Sequence, residues 1–400
     1  MNQAKWWWNT HAMYVGEKSR TSICPIRLFI DGATAGGASN LSLCPVLFDC
    51  GNFPAAMCRN DNLKGCAGFI PGSTRFSKTE KAALESNVLL EHKHRCLDHV
   101  VAPIRECLAN GGFTADLPGI GKWTFLPFIA WIVQDTPEAH NLALVYNYWR
   151  ASKPCRICNI QLHQVGTELA PGPQRYADET REIVNTTAGP IRDHRKRSRD
   201  PNFQNAIQHL KDESVHPIRN AFWVPGLFGA NPAGIHGALP PEWLHCGQIG
   251  LESEVHEAYV KQVDLTHELE TAAGSKQPYR KVKKNEGGIL LDLRVKRLAR
   301  PMVRQSERSN PKSSFTAGIT DLTKLSGQEM PAVLLMLIIS VGDEGAILPV
   351  EVSRRFAALT WALLCLDAYI MAPAWDSGMR GRFNGIVRCV RATVKVLPRF

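Results

Sequence analysis

Apolar and polar positions alternate along the chain in two clear periods. Pro25 to Ile30 is a short apolar run of the kind that forms a strand buried on both faces, and it stops at Asp31. Gly32 to Asn40 is a turn of small residues, and Leu41 to Phe48 returns as a second strand. Phe53 to Cys58 predicts a third strand, at the sheet edge. Residues 1–23 carry no regular pattern and predict an irregular lead-in. From Ser77 to Asn110 the apolar spacing changes to three and four, the mark of an amphipathic helix, with a break or kink expected at Pro103. Gly111 to Gly121 predicts a loop. Trp123 to Val133 is the most apolar strand-like run of this half and ends on Gln134 and Asp135. Thr136, Pro137 and Glu138 then predict a helix start with the threonine as N-cap, and Ala139 to Trp149 predicts the helix itself.

The order strand, strand, strand, helix, strand, helix puts one acid after the first strand and another after the fourth. That order predicts an α/β fold of the ribonuclease-H-like kind: a mixed sheet flanked by helices, in which those two strands lie side by side. Asp31 and Asp135 could then meet on a divalent metal pair, which activates water or a hydroxyl and stabilises the leaving oxygen of a phosphodiester. Oxygen-only ligands point to Mg²⁺ or Mn²⁺. Read alone, Asp31 is equally well a turn residue, since Asp-Gly is a common turn pair.

Further along, Cys155-Arg156-Ile157-Cys158 offers half of a zinc site, with His163 or His245 as further ligands, or simply two unrelated cysteines. Glu242 begins a helix whose core face includes Leu251, Val255, Tyr259 and Val263. Met330 to Val341 and Pro349 to Met371 predict two buried helices. The first is too short to span a bilayer and Asp367 interrupts the second, so no membrane association is expected. The segments divide into a lead-in over 1–24, the first part of the core over 25–165, an insertion with basic segments over 166–312, C-terminal helices completing the core over 313–375, and a basic tail over 376–400; the helical and irregular insertion is expected to carry the possible zinc knuckle.

Charge changes the picture most. The 400 residues carry a formal net charge of +10, with an isoelectric point near 9.1. Such an excess suits an acidic partner, above all nucleic acid. It is concentrated in Ile191 to Arg199, with Arg192, Arg195, Lys196 and Arg197, and in residues 271–312, with Lys281, Lys283 and Lys284. The first run reads as a phosphate-contacting loop, a nuclear-import patch or a solvated loop. Few aromatics are interleaved, so no base-stacking platform is expected. An apolar fraction of 44% is enough for a real core. Twelve cysteines scattered over this length, with no secretory leader after Met1, predict reduced thiols, most of them small core residues.

Several stretches together resemble the transposase domain of CACTA-type and Plavaka-like elements and the related Kyakuja, Dileera and Zisupton transposases. They are Leu28 to Gly32, PVLFDCGNFP (Pro45 to Pro54), FLPFIAWIVQDTPEA running into PCRIC, NAFW, PPEWLHCGQIGL and FTAGITDLTKLSGQEMPAVLLMLII. The resemblance runs in order over about residues 25–373. It implies a ribonuclease-H-like core with an inserted helical region, cut-and-paste DNA transposition and three metal-binding acids. Carried over, Asp31 and Asp135 are the first two and Glu329 the third, with Glu242 and Glu252 as rivals. Cys155 and Cys158 become a structural zinc knuckle completed by His245. DNA is the implied partner and the nucleus the implied setting, while assembly of copies with one another stays open. The chain is shorter than family members usually are, which leaves an inactive, transposon-derived DNA-binding protein as the alternative.

Overall fold

The computed structural model describes residues 5–34, 42–53, 57, 60–71, 86–146, 151–165, 172–193, 201–240, 251–274, 289–293, 319–320, 330–342, 348–370, 382–383, 385–388 and 390. The chain divides into two compact units, Met1–Pro241 and Glu242–Phe400.

The first unit is built on one mixed sheet. Its strands are β1 (Thr21–Ile30), β2 (Ala33–Thr34), β3 (Ser42–Cys50), β4 (Lys64–Pro71), β5 (Phe113–Leu117) and β6 (Gly121–Val133). The order is β2-β3-β1-β6-β5, with β4 also paired to β3. β1 runs antiparallel to β3 and parallel to β6. The long apolar runs thus lie at the centre, as strands buried on both faces must. A further strand of the sheet, at Lys64–Pro71, is one the pattern does not predict; the predicted edge strand over 53–58 lies mostly outside the described residues. The expected loop after the long helix contains β5, which hairpins onto β6. Part of the predicted lead-in is helical: α1 (Lys5–Tyr14) precedes the sheet.

Each sheet face has its own cover. On one face, Leu28, Ile30, Val46, Ile70, Ile129 and Ile132 pack with Leu97 and Val101 of α2 (Ser86–Ala109) and with Leu142 of α3 (Thr136–Ala143). Phe222, Leu227 and Phe228, from the segment that begins with the NAFW stretch, complete this core. On the other face, Ile23, Leu126 and Phe128 pack with Val15, Trp6, Trp7 and Tyr14. α2 does not break at Pro103. Pro103 and His99 are both exposed, so water can take the carbonyl that proline leaves without a partner. α3 is shorter than the pattern predicts, because Leu144 turns left-handed (φ 57°) and caps it.

Two further helices of this unit are α4 (Ala177–Asp193) and α5 (Pro201–Glu213), followed by a single turn, α6 (Ile235–Ala238). Three histidines in this unit are held neutral. His94 accepts from the Ala221 amide at Nδ1 (3.3 Å) and faces the Asn141 carbonyl at Nε2 (3.1 Å). His236 faces the Arg156 carbonyl at Nδ1 (2.9 Å), and His216 faces the Asn87 side chain (2.9 Å). Burial pushes His94 and His216 down to about 4 and His236 to about 3. Unfolded histidine titrates near 6.5. The unfolded chain therefore binds more protons below that value, so this stability is complete above about pH 6.5 and is lost as pH falls toward 4. The urea midpoint, followed by circular dichroism, should fall steeply between pH 6.5 and 4; a flat midpoint across that window would rule this out.

The second unit has a separate helical core. α7 (Ser253–Gly274), α8 (Met330–Gly342) and α9 (Val350–Ile370) bury Val255, Tyr259, Val263, Leu334, Leu337, Phe356, Leu359 and Leu363 together. The apolar faces expected for these helices are thus the buried ones. Among the described residues no helix is long and apolar enough to cross a membrane. Nine cysteines lie among the described residues, all free thiols, but only Cys44 and Cys158 are buried. The expectation that most are core residues therefore fails: several sit on strand and helix positions that the packing leaves half-open. Cys24 and Cys50 face each other across β1 and β3 with their sulfurs 3.6 Å apart.

Candidate functional site

The parallel pairing of β1 and β6 determines where the two predicted acids lie. Ile26 pairs with Ile129, but Arg27 pairs with Trp131, so Ala130 is an extra residue in β6. Such a bulge shifts everything after it by one position. The last pair is Phe29 with Val133. Carried two residues further, that register sets Asp31 beside Asp135; without Ala130 it would set Asp31 beside Gln134. Asp31 is exposed and Asp135 half-buried. Gln134, between strand and acid, is buried with both amide atoms lacking a hydrogen-bond partner.

Asp135, and not Thr136, is the N-cap of α3. Its backbone is extended (φ −66°, ψ 167°) and its Oδ1 accepts the Glu138 amide at 2.8 Å. Pro137 lies in the first turn, where its missing amide costs nothing. The second acid is thus fixed by the helix it opens.

Other charges converge here. Cys44, buried on β3, has its thiol pushed up, first by burial. The charges acting on it are Lys93, which lowers it, and Glu138, Asp31 and Asp135, which raise it. Lys93 of α2 forms an ion pair with Glu138 of α3, with side chains 18% and 14% exposed. Three carboxylates and one ammonium therefore act on the same β3 thiol. The sequence patterns indicate Asp31 and Asp135 but not Lys93, whose place depends on how α2 packs. Among the described residues no group of three or more His, Cys, Asp and Glu could hold a metal ion. The hard oxygens of the Asp31–Asp135 pair suit Mg²⁺ or Mn²⁺, with part of the ligand shell left to water or substrate.

The cysteine pair forms a second feature. Cys155 Sγ accepts the Ile157 amide at 3.4 Å, and the Ile160 and Gly172 amides act on Cys158. Burial is the main cause that pushes the Cys158 thiol up, and Cys155 adds to it. The backbone around the pair is pinned from several sides. His140 Nε2 lies 3.1 Å from the Pro154 carbonyl, and His236 holds the Arg156 carbonyl. Arg175, 2% exposed, donates to the Glu213 carbonyl (3.2 Å) and the Lys153 carbonyl (3.4 Å). Two sulfurs with backbone amides pointed at them fit half of a tetrahedral zinc shell. His163 is exposed.

Glu329, Glu242, His245, Arg195, Lys196, Arg197, Lys281, Lys283 and Lys284 lie outside the described residues. Arg192 falls in α4, with its side chain outside them. Glu252, in the second unit, is buried with both carboxylate oxygens lacking a hydrogen-bond partner. Burial, and then Asp367, push it up to about 7.

The model of the Plavaka transposase family matches residues 1–250. The chain belongs to this family. The matched residues take in the whole sheet of the first unit, both edge acids and the cysteine pair. No curated protein matches the chain. Membership in the Plavaka transposase family agrees with the resemblance carried by the strand-Asp-Gly and PVLFDCGNFP stretches.

Proposed function

We propose that the chain is a transposase that cleaves and transfers DNA strands in a metal-dependent reaction on a ribonuclease-H-like core. The observation that carries this reading is the parallel register of β1 and β6, which carried two residues past Phe29 and Val133 brings Asp31 level with Asp135, together with the action of both acids on one thiol. The strand order β4-β3-β1-β6, with β1 antiparallel to β3 and parallel to β6, supports the ribonuclease-H-like assignment.

In this reading Asp31 and Asp135 hold Mg²⁺ or Mn²⁺, which when bound supplies Lewis-acid stabilisation of the phosphodiester oxygens. The chain's own part is placement. The cap bond to Glu138 fixes one oxygen of Asp135 and leaves the other to the cation. The strand end fixes Asp31. Glu329 remains the choice for the third acid. Cys155, Cys158 and His245 are proposed as ligands of a structural Zn²⁺. Arg192, Arg195, Lys196 and Arg197, with Lys281, Lys283 and Lys284, are proposed to take DNA phosphates, and the nucleus is the proposed site of action.

The test is nicking of a labelled duplex in Mn²⁺ by wild type and Asp31→Ala. Wild type should cut and the variant should not, while both keep salt-sensitive DNA binding. Replacing Arg195, Lys196 and Arg197 by alanine should lower the slope of log affinity against log salt by about 3. Cutting that survives in Asp31→Ala would overturn the catalytic reading. Salt-sensitive binding without any cutting by wild type would favour the inactive DNA-binding alternative.

A further inference from the structure

We infer that Lys93 is a positioning residue that sets how strongly the acid edge takes up a divalent cation. It does so by neutralising Glu138, which opens the same helix as Asp135. The inference rests on the two-acid reading above and extends it to a residue that no sequence pattern marks.

Glu138 is tied to the site twice. Its backbone amide is the one that Asp135 caps, and its side chain pairs with Lys93. It therefore stands in the first turn of α3, three residues from a proposed ligand, with its carboxylate turned to α2. The ion pair is mostly withdrawn from solvent, at 18% and 14% exposure, so salt and water screen it weakly. A plain helix-to-helix pair would need nothing more. Here, however, the Lys93 ammonium acts on the same Cys44 thiol as Asp31, Asp135 and Glu138. Its field reaches the edge where the cation would sit.

The charges make the consequence concrete. With Lys93 present, three carboxylates and one ammonium leave a net charge of minus two, the complement of one divalent ion. Without it the same group of charges carries minus three, which favours the cation. A unit charge several ångströms from a divalent ion in partly solvated protein changes its affinity on the order of tenfold. Lys93 thus keeps the site in a range where the ion exchanges.

The experiment is titration of Mn²⁺ into the full chain without DNA, with free Mn²⁺ read by electron paramagnetic resonance. Lys93→Met should bind Mn²⁺ about tenfold more tightly than wild type. Lys93→Arg, which keeps the charge, should bind as wild type does. The double variant Lys93→Met with Glu138→Gln should lose most of the gain. A merely structural role would loosen binding or leave it alone, so tightening is the discriminating result. Unchanged or weaker binding by a folded Lys93→Met would overturn the inference. If that variant fails to fold, Lys93→Gln takes its place under the same criteria. Asp31→Ala and Asp135→Ala separate the two levels. If both abolish Mn²⁺ binding while the Lys93 variants change nothing, only the role of Lys93 falls. If neither affects binding, the two-acid reading falls with it.

Discussion

Asp135→Asn should abolish Mn²⁺-dependent nicking while leaving the chain as stable as wild type, whereas Asp135→Ala should abolish nicking and also lower stability by about 1 kcal/mol. The two substitutions separate the two tasks of this residue. As N-cap it accepts the Glu138 amide through Oδ1, and an asparagine oxygen can do the same. As a proposed metal ligand it needs its charge, which asparagine lacks. Loss of one ligand from a site that supplies several kcal/mol of transition-state stabilisation corresponds to about 10²–10⁴-fold in rate. The rate is read from the labelled duplex and the stability from urea denaturation. An Asp135→Asn variant that cuts at the wild-type rate would show that Asp135 is a cap and nothing more. An Asp135→Ala variant that cuts would remove the acid edge from the mechanism.

Arg175→Ala should cost about 3 kcal/mol, the largest stability loss expected of a single substitution in the first unit. Arg175 heads the largest fully buried side chains. Its guanidinium spans the Lys153 and Glu213 carbonyls and so ties the residues before the cysteine pair to the end of α5. Burial lowers its pKa, while Glu213, Cys155 and Cys158 act against that. Truncation leaves two carbonyls without a donor and a cavity where the side chain lay. Arg175→Lys should recover only part of the loss, because an ammonium cannot present the same planar fork. Urea midpoints of the full chain test this. A shift worth less than about 0.5 kcal/mol, the size of an ordinary surface substitution, would show that the two carbonyls find other partners. Faster alkylation of Cys158 in Arg175→Ala would show in addition that the segment around the cysteine pair has opened.

Much of the first unit was legible in the sequence because its signals are local. Ile26 to Ile30 and Phe125 to Val133 are too apolar for anything but central strands, and both end abruptly on polar residues. The alternation in α2 marked its buried face, with Leu97 and Val101 on it. The strand at Lys64 to Pro71 was missed because it is an edge strand, mostly exposed, and has little apolar pattern to show. β5 was missed for the same reason: it is a short, largely exposed hairpin partner. Whether the helix breaks at Pro103 depends on whether water reaches the orphaned carbonyl, which a sequence does not state.

The candidate site divides along the same line. Residue type and spacing alone mark two acids after two buried strands, a helix opening at the second of them, and a cysteine pair beyond it. These signals lie within short stretches. That the two acids come level follows from parallel pairing of strands about a hundred residues apart and from the one extra residue at Ala130, both set by packing. Packing alone brought Lys93 to Glu138 and both to Cys44, and Arg175 to Cys155 and Cys158. Strand and helix periods are fixed by the backbone within a few residues. The meeting of charges across elements is fixed by which faces the core buries, and that is settled only when the whole unit packs.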